Sequence, residues 1–138
     1  MNFLTPVSDI MIKNVIGLTM SDNIAEVETL FKRHKIKHLP VVSGGVIIGM
    51  VSYTDIMRIS QAELQSNGRN VDSVVLKNYS VEQVMSKEIT TITSDTTIKE
   101  ATKILANKEF HVLPIVDNGE LMGIITTRDL LKYFLKQF

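Results

Sequence analysis

The sequence predicts a mixed α/β (α+β) chain of two β-α-β-β-α repeats, each with a short leading helix, related by a pseudo-two-fold axis. Three observations lead there. Residues 7 to 58 align with residues 81 to 132 without a gap, and about a dozen positions are identical, above the rate that average composition produces. Each copy carries apolar residues at helical spacing, then two short runs rich in β-branched side chains. Each copy also reaches one shared pattern, Gly49-Met50-Val51-Ser52-Tyr53-Thr54-Asp55 in the first and Gly123-Ile124-Ile125-Thr126-Thr127-Arg128-Asp129 in the second. Two copies at this spacing do not make a solenoid, so paired halves are the economical arrangement. The expected boundaries are residues 1–62 for the first domain, 63–79 for a linker and 80–138 for the second domain.

Taken in order, Ser8-Asp9-Ile10-Met11 and Ser80 to Met85 read as short helical turns, each started by a serine able to cap. Val15 to Thr19 and Ile89 to Thr93 read as first strands. Ser21-Asp22-Asn23 and Ser94-Asp95 supply caps for helices with apolar stripes at Ile24, Val27, Leu30 and Phe31, and at Ile98, Ala101, Ile104 and Leu105. These helices end near Lys35 and Lys108. Leu39-Pro40-Val41-Val42 and Leu113-Pro114-Ile115-Val116 are strands opened by a proline. Gly44-Gly45 and Asn118-Gly119 provide the positive backbone angles of tight hairpins into the third strands. A glycine within each third strand, Gly49 or Gly123, signals a bulge or a close approach. Ser60 to Tyr79 reads as a helix extension followed by a loop that serves as connector. On the last helix Leu130, Leu131, Phe134, Leu135 and Phe138 form an apolar strip that either finishes the core or meets a partner.

Composition narrows the function. Fifteen basic residues balance fifteen acidic ones in 138, with a pI near 6.8, which gives no broad footprint for nucleic acid or an anionic membrane. Cysteine is absent, so there is no thiol nucleophile, thiolate metal site or disulfide framework. No basic leader with an apolar core opens the chain, and no apolar run approaches the roughly 20 residues that span a bilayer. A soluble cytoplasmic protein is the expectation. The cluster Lys32-Arg33-His34-Lys35-Ile36-Lys37-His38 reads as the solvated, dipole-complementing end of a helix.

The shared pattern sits where a strand gives way to a helix, and it has two chemical readings. Ser or Thr followed three residues later by an acid is a capping box. The same helix start offers free amides and a positive dipole end to an anion, and an aspartate there can accept hydrogen bonds from ribose hydroxyls. Catalysis is set aside: Ser52, His38 and Asp55 are residue types of a hydrolase triad, but no glycine-flanked nucleophile elbow surrounds Ser52. His34 and His38 have metal-ligand spacing, yet the helix is expected to stop between them and no third ligand is evident, so neither a catalytic nor a metal site is expected.

With Met11 matching Met85, Leu39-Pro40-Val41-Val42 matching Leu113-Pro114-Ile115-Val116 and the paired Ser/Thr-x-x-Asp, residues from about Val7 to Tyr133 resemble the CBS (cystathionine-β-synthase) domain pair, or Bateman module. The resemblance implies a regulatory ligand containing adenosine, namely AMP, ADP, ATP or S-adenosylmethionine, bound in clefts between the repeats, with no cofactor required. It implies one cleft using Ser52, Thr54 and Asp55 with Thr90 and His111, and another using Thr126, Arg128 and Asp129 with Ile16, Lys37 and His38. In this assignment the aspartates hold ribose and the neighbouring hydroxyls reach phosphate. Arg128, Lys37 and His38 equip the second cleft better for phosphate. Two departures from equivalence put equal occupancy in doubt: Ile16 stands where the other repeat has Thr90, and Val112 stands opposite His38. The resemblance further implies a homodimer and an output through that oligomer or through an unidentified effector protein. The competing class is a ligand-free homodimerisation module whose motifs are helix caps alone.

Overall fold

The computed structural model describes residues 2–67, 78–109 and 111–138, with side chains outside 62–67. The chain forms two compact units, one of Ile16–Ile89 and one joining Met1–Val15 to Thr90–Phe138. Sequence repeats and compact units therefore divide the chain differently. The leading segment of each repeat is built into the unit that carries the other repeat's hairpin.

In the unit of Ile16–Ile89, Asn23 caps helix α1 (Ile24–His34), its Oδ1 accepting from the Glu26 amide at 3.0 Å. The stripe works as its spacing requires: Ile24, Val27 and Phe31 are buried, and Leu30 packs at the edge. Lys35, at φ 54°, ends the helix in the left-handed region and returns its amide to the Phe31 carbonyl. Strands β1 (His38–Ser43) and β2 (Val46–Ser52) pair antiparallel about Gly44 and Gly45, whose φ of 58° and 83° suit a primed hairpin turn. Helix α2 (Tyr53–Asn67) follows directly. It continues the helix beyond Ser60, as the expected extension requires, while the loop expected before Tyr79 falls largely on residues 68–77, which lie outside the described residues. The short helix α3 (Val81–Val84) closes the unit: Val81 is fully buried, and its amide donates to the Asp22 carbonyl at 2.8 Å. Gln83 Oε1 accepts from the Ser80 amide at 2.8 Å.

The second unit repeats this plan. A 3₁₀ turn at Val7–Asp9 supplies buried Val7, whose amide donates to the Thr96 carbonyl at 2.8 Å. Helix α4 (Ile98–Ala106) buries Ile98, Ala101 and Leu105. Strands β3 (Val112–Asp117) and β4 (Glu120–Thr126) pair about Asn118 and Gly119, at φ 52° and 83°. Helix α5 (Thr127–Leu135) ends the plan. Its apolar strip divides between the two roles open for it: Leu130 is buried and Phe134 packs on the core, while Leu131, Leu135 and Phe138 are exposed.

Three expectations are corrected. The first strands shrink to single bridges: Leu18 joins β1 in parallel through Pro40 and Val42, and Ile92 joins β3 through Pro114 and Val116. Directly after each bridge the chain turns: the Asp22 amide donates to the Thr19 carbonyl at 3.2 Å and the Thr96 amide to the Thr93 carbonyl at 3.1 Å, while Asp22 Oδ2 and Thr96 Oγ1 accept from the Thr19 and Thr93 amides at 2.9 and 3.2 Å. Thr97, not Ser94-Asp95, caps α4, accepting from the Glu100 amide at 3.1 Å. Asp95 instead binds the Thr93 hydroxyl, and the Ser94 amide donates to Asp117 Oδ1 at 3.0 Å. Finally, the turn at Val7–Asp9 begins after Pro6, so Ser8 sits inside it rather than starting it.

Both devices expected of the strand glycines are present. The register slips between Val41 and Val42, and between Ile115 and Val116, opposite the residues just before Gly49 and Gly123. Beside the bulges, Ser86 exchanges backbone bonds with Met50 at 2.9 and 3.0 Å, and Ile12 does the same with Ile124.

Candidate functional site

Each hairpin delivers its Ser/Thr-x-x-Asp pattern to a helix start, and the cap fixes the local geometry. In the first copy the Asp55 amide donates to Ser52 Oγ at 3.1 Å while Asp55 Oδ2 accepts from the Ser52 amide at 2.9 Å. Ser52 and Asp55 are half-buried, and Thr54 is exposed. His38 is the strand partner of Ser52, and the Tyr53 amide donates to the Lys37 carbonyl at 2.8 Å. Backbone pairing thus seats Lys37 and His38 beside Ser52. Ile16, in the same unit, is half-buried against the core.

In the second copy the Asp129 amide donates to Thr126 Oγ1 at 3.1 Å. The amide and the hydroxyl of Thr126 each donate to Asp129 Oδ2 at 2.9 Å. The Thr127 amide donates to the His111 carbonyl at 2.9 Å, which seats His111 beside Thr126. Arg128, His111 and Thr90 are exposed.

The two carboxylates differ in two contacts: the Thr126 hydroxyl donates to Asp129 Oδ2, a bond given for no hydroxyl at Asp55 among the described residues, and an arginine stands beside Asp55. Arg58, one turn along α2, lies 3.5 Å from Asp55 Oδ1, the oxygen the cap leaves over. Among the described residues no group engages Asp129 Oδ1. Sequence reasoning passed over Arg58, although its i,i+3 spacing from Asp55 was the available signal.

The structure thus gathers Ile16, Lys37, His38, Ser52, Thr54 and Asp55 in one unit and Thr90, His111, Thr126, Arg128 and Asp129 in the other. The triad residue types do meet, with His38 beside Ser52, but Ser52 and Asp55 bond each other's amides as a cap. His34 ends α1 and His38 opens β1, so the two histidines do not share a helical face. Among the described residues no group of three or more His, Asp or Glu side chains is arranged to hold a metal ion, and no helix is long and apolar enough to cross a membrane. The shifted titrations lie away from both caps: Glu28 raises the pKa of Lys32 by hydrogen bonding and charge, and hydrogen bonds from Ser94 lower that of Asp117.

Comparison with known proteins gives this geometry its context. The protein MJ1225 of Methanocaldococcus jannaschii is 28% identical over 130 residues, which cover 93% of this chain and 46% of that protein. Its crystal structure superposes with a TM-score of 0.83 at 25% identity, covering 97% of this chain and 49% of that one. The chain therefore spans about half the length of this relative. The CBS domain pair of MJ0100, solved with 5-methylthioadenosine and S-adenosyl-L-methionine, has the same fold, with a TM-score of 0.78 at 23% identity over 98% of this chain and 99% of that one. So does CBSX2, solved with AMP, with a TM-score of 0.80 at 24% identity over 96% of this chain and 98% of that one. The family model for the CBS domain matches twice, at residues 7–62 and 81–136, and takes in both capped aspartates, so this chain belongs to the CBS domain family.

Proposed function

We propose that the chain is a regulatory module that senses an adenosine-containing ligand, AMP, ADP, ATP or S-adenosylmethionine, and has no catalytic activity of its own. The observation that carries this reading is the duplicated carboxylate at a capped helix start, Asp55 and Asp129, each held by its cap through one oxygen. A half-buried, oriented carboxylate of this kind accepts paired hydroxyls of a ribose. The fold shared with the CBS domain pair of MJ0100, solved with 5-methylthioadenosine and S-adenosyl-L-methionine, and with CBSX2, solved with AMP, supports the choice of ligand class.

The assignment keeps the residue sets that the family resemblance implies. Ser52, Thr54 and Asp55 act with Thr90 and His111 on one ligand; Thr126, Arg128 and Asp129 act with Ile16, Lys37 and His38 on another. A ligand touching both repeats shifts their arrangement by no more than its difference in affinity for the alternatives. Output then passes through a homodimer or an effector protein.

Calorimetric titration of AMP, ADP, ATP and S-adenosylmethionine tests the reading, with an Asp55→Asn, Asp129→Asn variant as its control. Asparagine keeps an oxygen for the cap but removes the charge. Binding is expected to weaken at least about tenfold, because a hydrogen bond to a charged group contributes about 1.5–3 kcal/mol. Unchanged affinity in the variant removes the ribose role, and no heat with any of the four ligands removes the proposal.

One observation favours the second reading, a ligand-free homodimerisation module. Leu131 and Leu135 on α5 and Phe138 just beyond it are 57%, 70% and 94% exposed. A dimer by sedimentation together with no ligand response selects that reading.

A further inference from the structure

The two caps are near copies, yet they leave their aspartates in different condition. In both, Oδ2 serves the cap, so Oδ1 is the oxygen left for an incoming hydroxyl. Arg58 already stands 3.5 Å from Asp55 Oδ1. The equivalent position in the second repeat is Lys132, and no ion pair forms between it and Asp129 among the described residues. An arginine at i+3 can turn a planar fork of donors onto the carboxylate, whereas lysine carries a more strongly hydrated point charge.

We infer that Arg58 is a specificity-setting residue that competes with the ligand ribose for Asp55, leaving Asp129 the stronger ribose acceptor. This rests on the proposed function above and adds a ranking of the two aspartates that the motifs themselves do not contain. Arg58 acts on the ligand through Asp55, as a positioning residue, with 73% of its side chain exposed. The competition is accordingly modest and sensitive to salt.

Calorimetry on the full chain tests this, with 5-methylthioadenosine as the probe. The probe has a ribose and no phosphate, so a lost cation cannot act through phosphate attraction. Wild type is expected to show a tighter and a weaker site, with Asp129→Asn removing the tighter one. Arg58→Lys, which copies the second repeat, tightens the weaker site by roughly two- to fivefold, the range an exposed ion pair is worth. Lys132→Arg loosens the tighter site by a similar factor, and raising salt narrows the gap in wild type. A merely structural role for Arg58 would move neither the ranking nor its salt dependence. If Arg58→Lys leaves the weaker site unchanged the competition is wrong, and if it weakens that site Arg58 is a ligand contact instead. No binding to wild type overturns the functional reading itself and this ranking with it, an outcome distinct from binding whose ranking ignores Arg58.

Discussion

Gly49 lies directly against Met85: a Cβ on Gly49 would sit 2.5 Å from the Met85 Sδ and 3.1 Å from the Ser86 carbonyl oxygen. Gly123 faces Met11 in the same way, but its nearest neighbour is backbone, the Ile12 carbonyl oxygen at 2.6 Å. A thioether can swing aside, while a carbonyl held in a two-bond bridge cannot without breaking it. Gly123→Ala is therefore expected to cost more than Gly49→Ala, both within the roughly 1–3 kcal/mol of an overpacked site. Urea unfolding of the two variants checks the order. Met85→Ala should recover much of the loss from Gly49→Ala, whereas Met11→Ala should recover little of the loss from Gly123→Ala.

Val7 and Val81 test how the leading segments are used. Each is fully buried, Val7 among Ile92, Ile98 and Leu113, and Val81 among Leu18, Ile24 and Leu39. Removing two methyl groups from such a site costs about 1.5–3 kcal/mol once the cavity is included. By hydrogen exchange, Val7→Ala should lower protection in β3 and β4, within the second repeat, and spare β1 and β2. Val81→Ala should do the reverse. Equal loss in both hairpins from either variant would show that leading segments do not belong to separate units.

Asp117 provides a pH signature. Hydrogen bonds from Ser94, chiefly its hydroxyl and then its amide, hold the Asp117 carboxyl below its ordinary value. A carboxylate with a depressed folded pKa stabilises the protein above the unfolded value of about 3.9, and that contribution disappears as pH falls through the lower folded value. Wild type should thus lose more stability than Asp117→Asn on acidification from about pH 5 to pH 3, a window set by that unfolded value. At neutral pH the variant should be the less stable of the two. Urea midpoints across that range decide the matter, and parallel curves would deny the bond its role.

Much of this architecture could be read from the chain because its causes are local. Gly44-Gly45 and Asn118-Gly119 announce their hairpins through backbone angle, and Pro40 and Pro114 mark strands two residues after the bond pattern begins. The capping partnership of Ser52 with Asp55 is a three-residue spacing and forms as spaced. What escaped depends on where a turn or helix begins, or on distance. Thr19 and Thr93 look like strand residues, yet each opens a turn, its carbonyl accepting from the Asp22 or Thr96 amide three residues on. Thr97 rather than Ser94 or Asp95 is the cap because the helix begins at Ile98, directly after it, which sets its hydroxyl three residues before the Glu100 amide. Val7 finds Thr96 far along the chain, and no periodicity records such a pairing. At the candidate site the residue types were legible, whereas the contact from Arg58 to Asp55 depends on a side-chain conformation.

The built-in leading segments also set a timetable for synthesis. Residues 16–89 form a contiguous unit that is complete as soon as Ile89 has left the ribosome. Val7 has no such early partner: the backbone it bonds and the strands it packs on, through β4, are made last. For most of translation the segment around Val7 and Met11 must wait exposed, its docking being a long-range closure. A ribosome stalled after Ile89 has emerged but before β4 is made would therefore carry a finished unit with a loose apolar segment in front of it, and that segment is where a nascent-chain chaperone would find its handle.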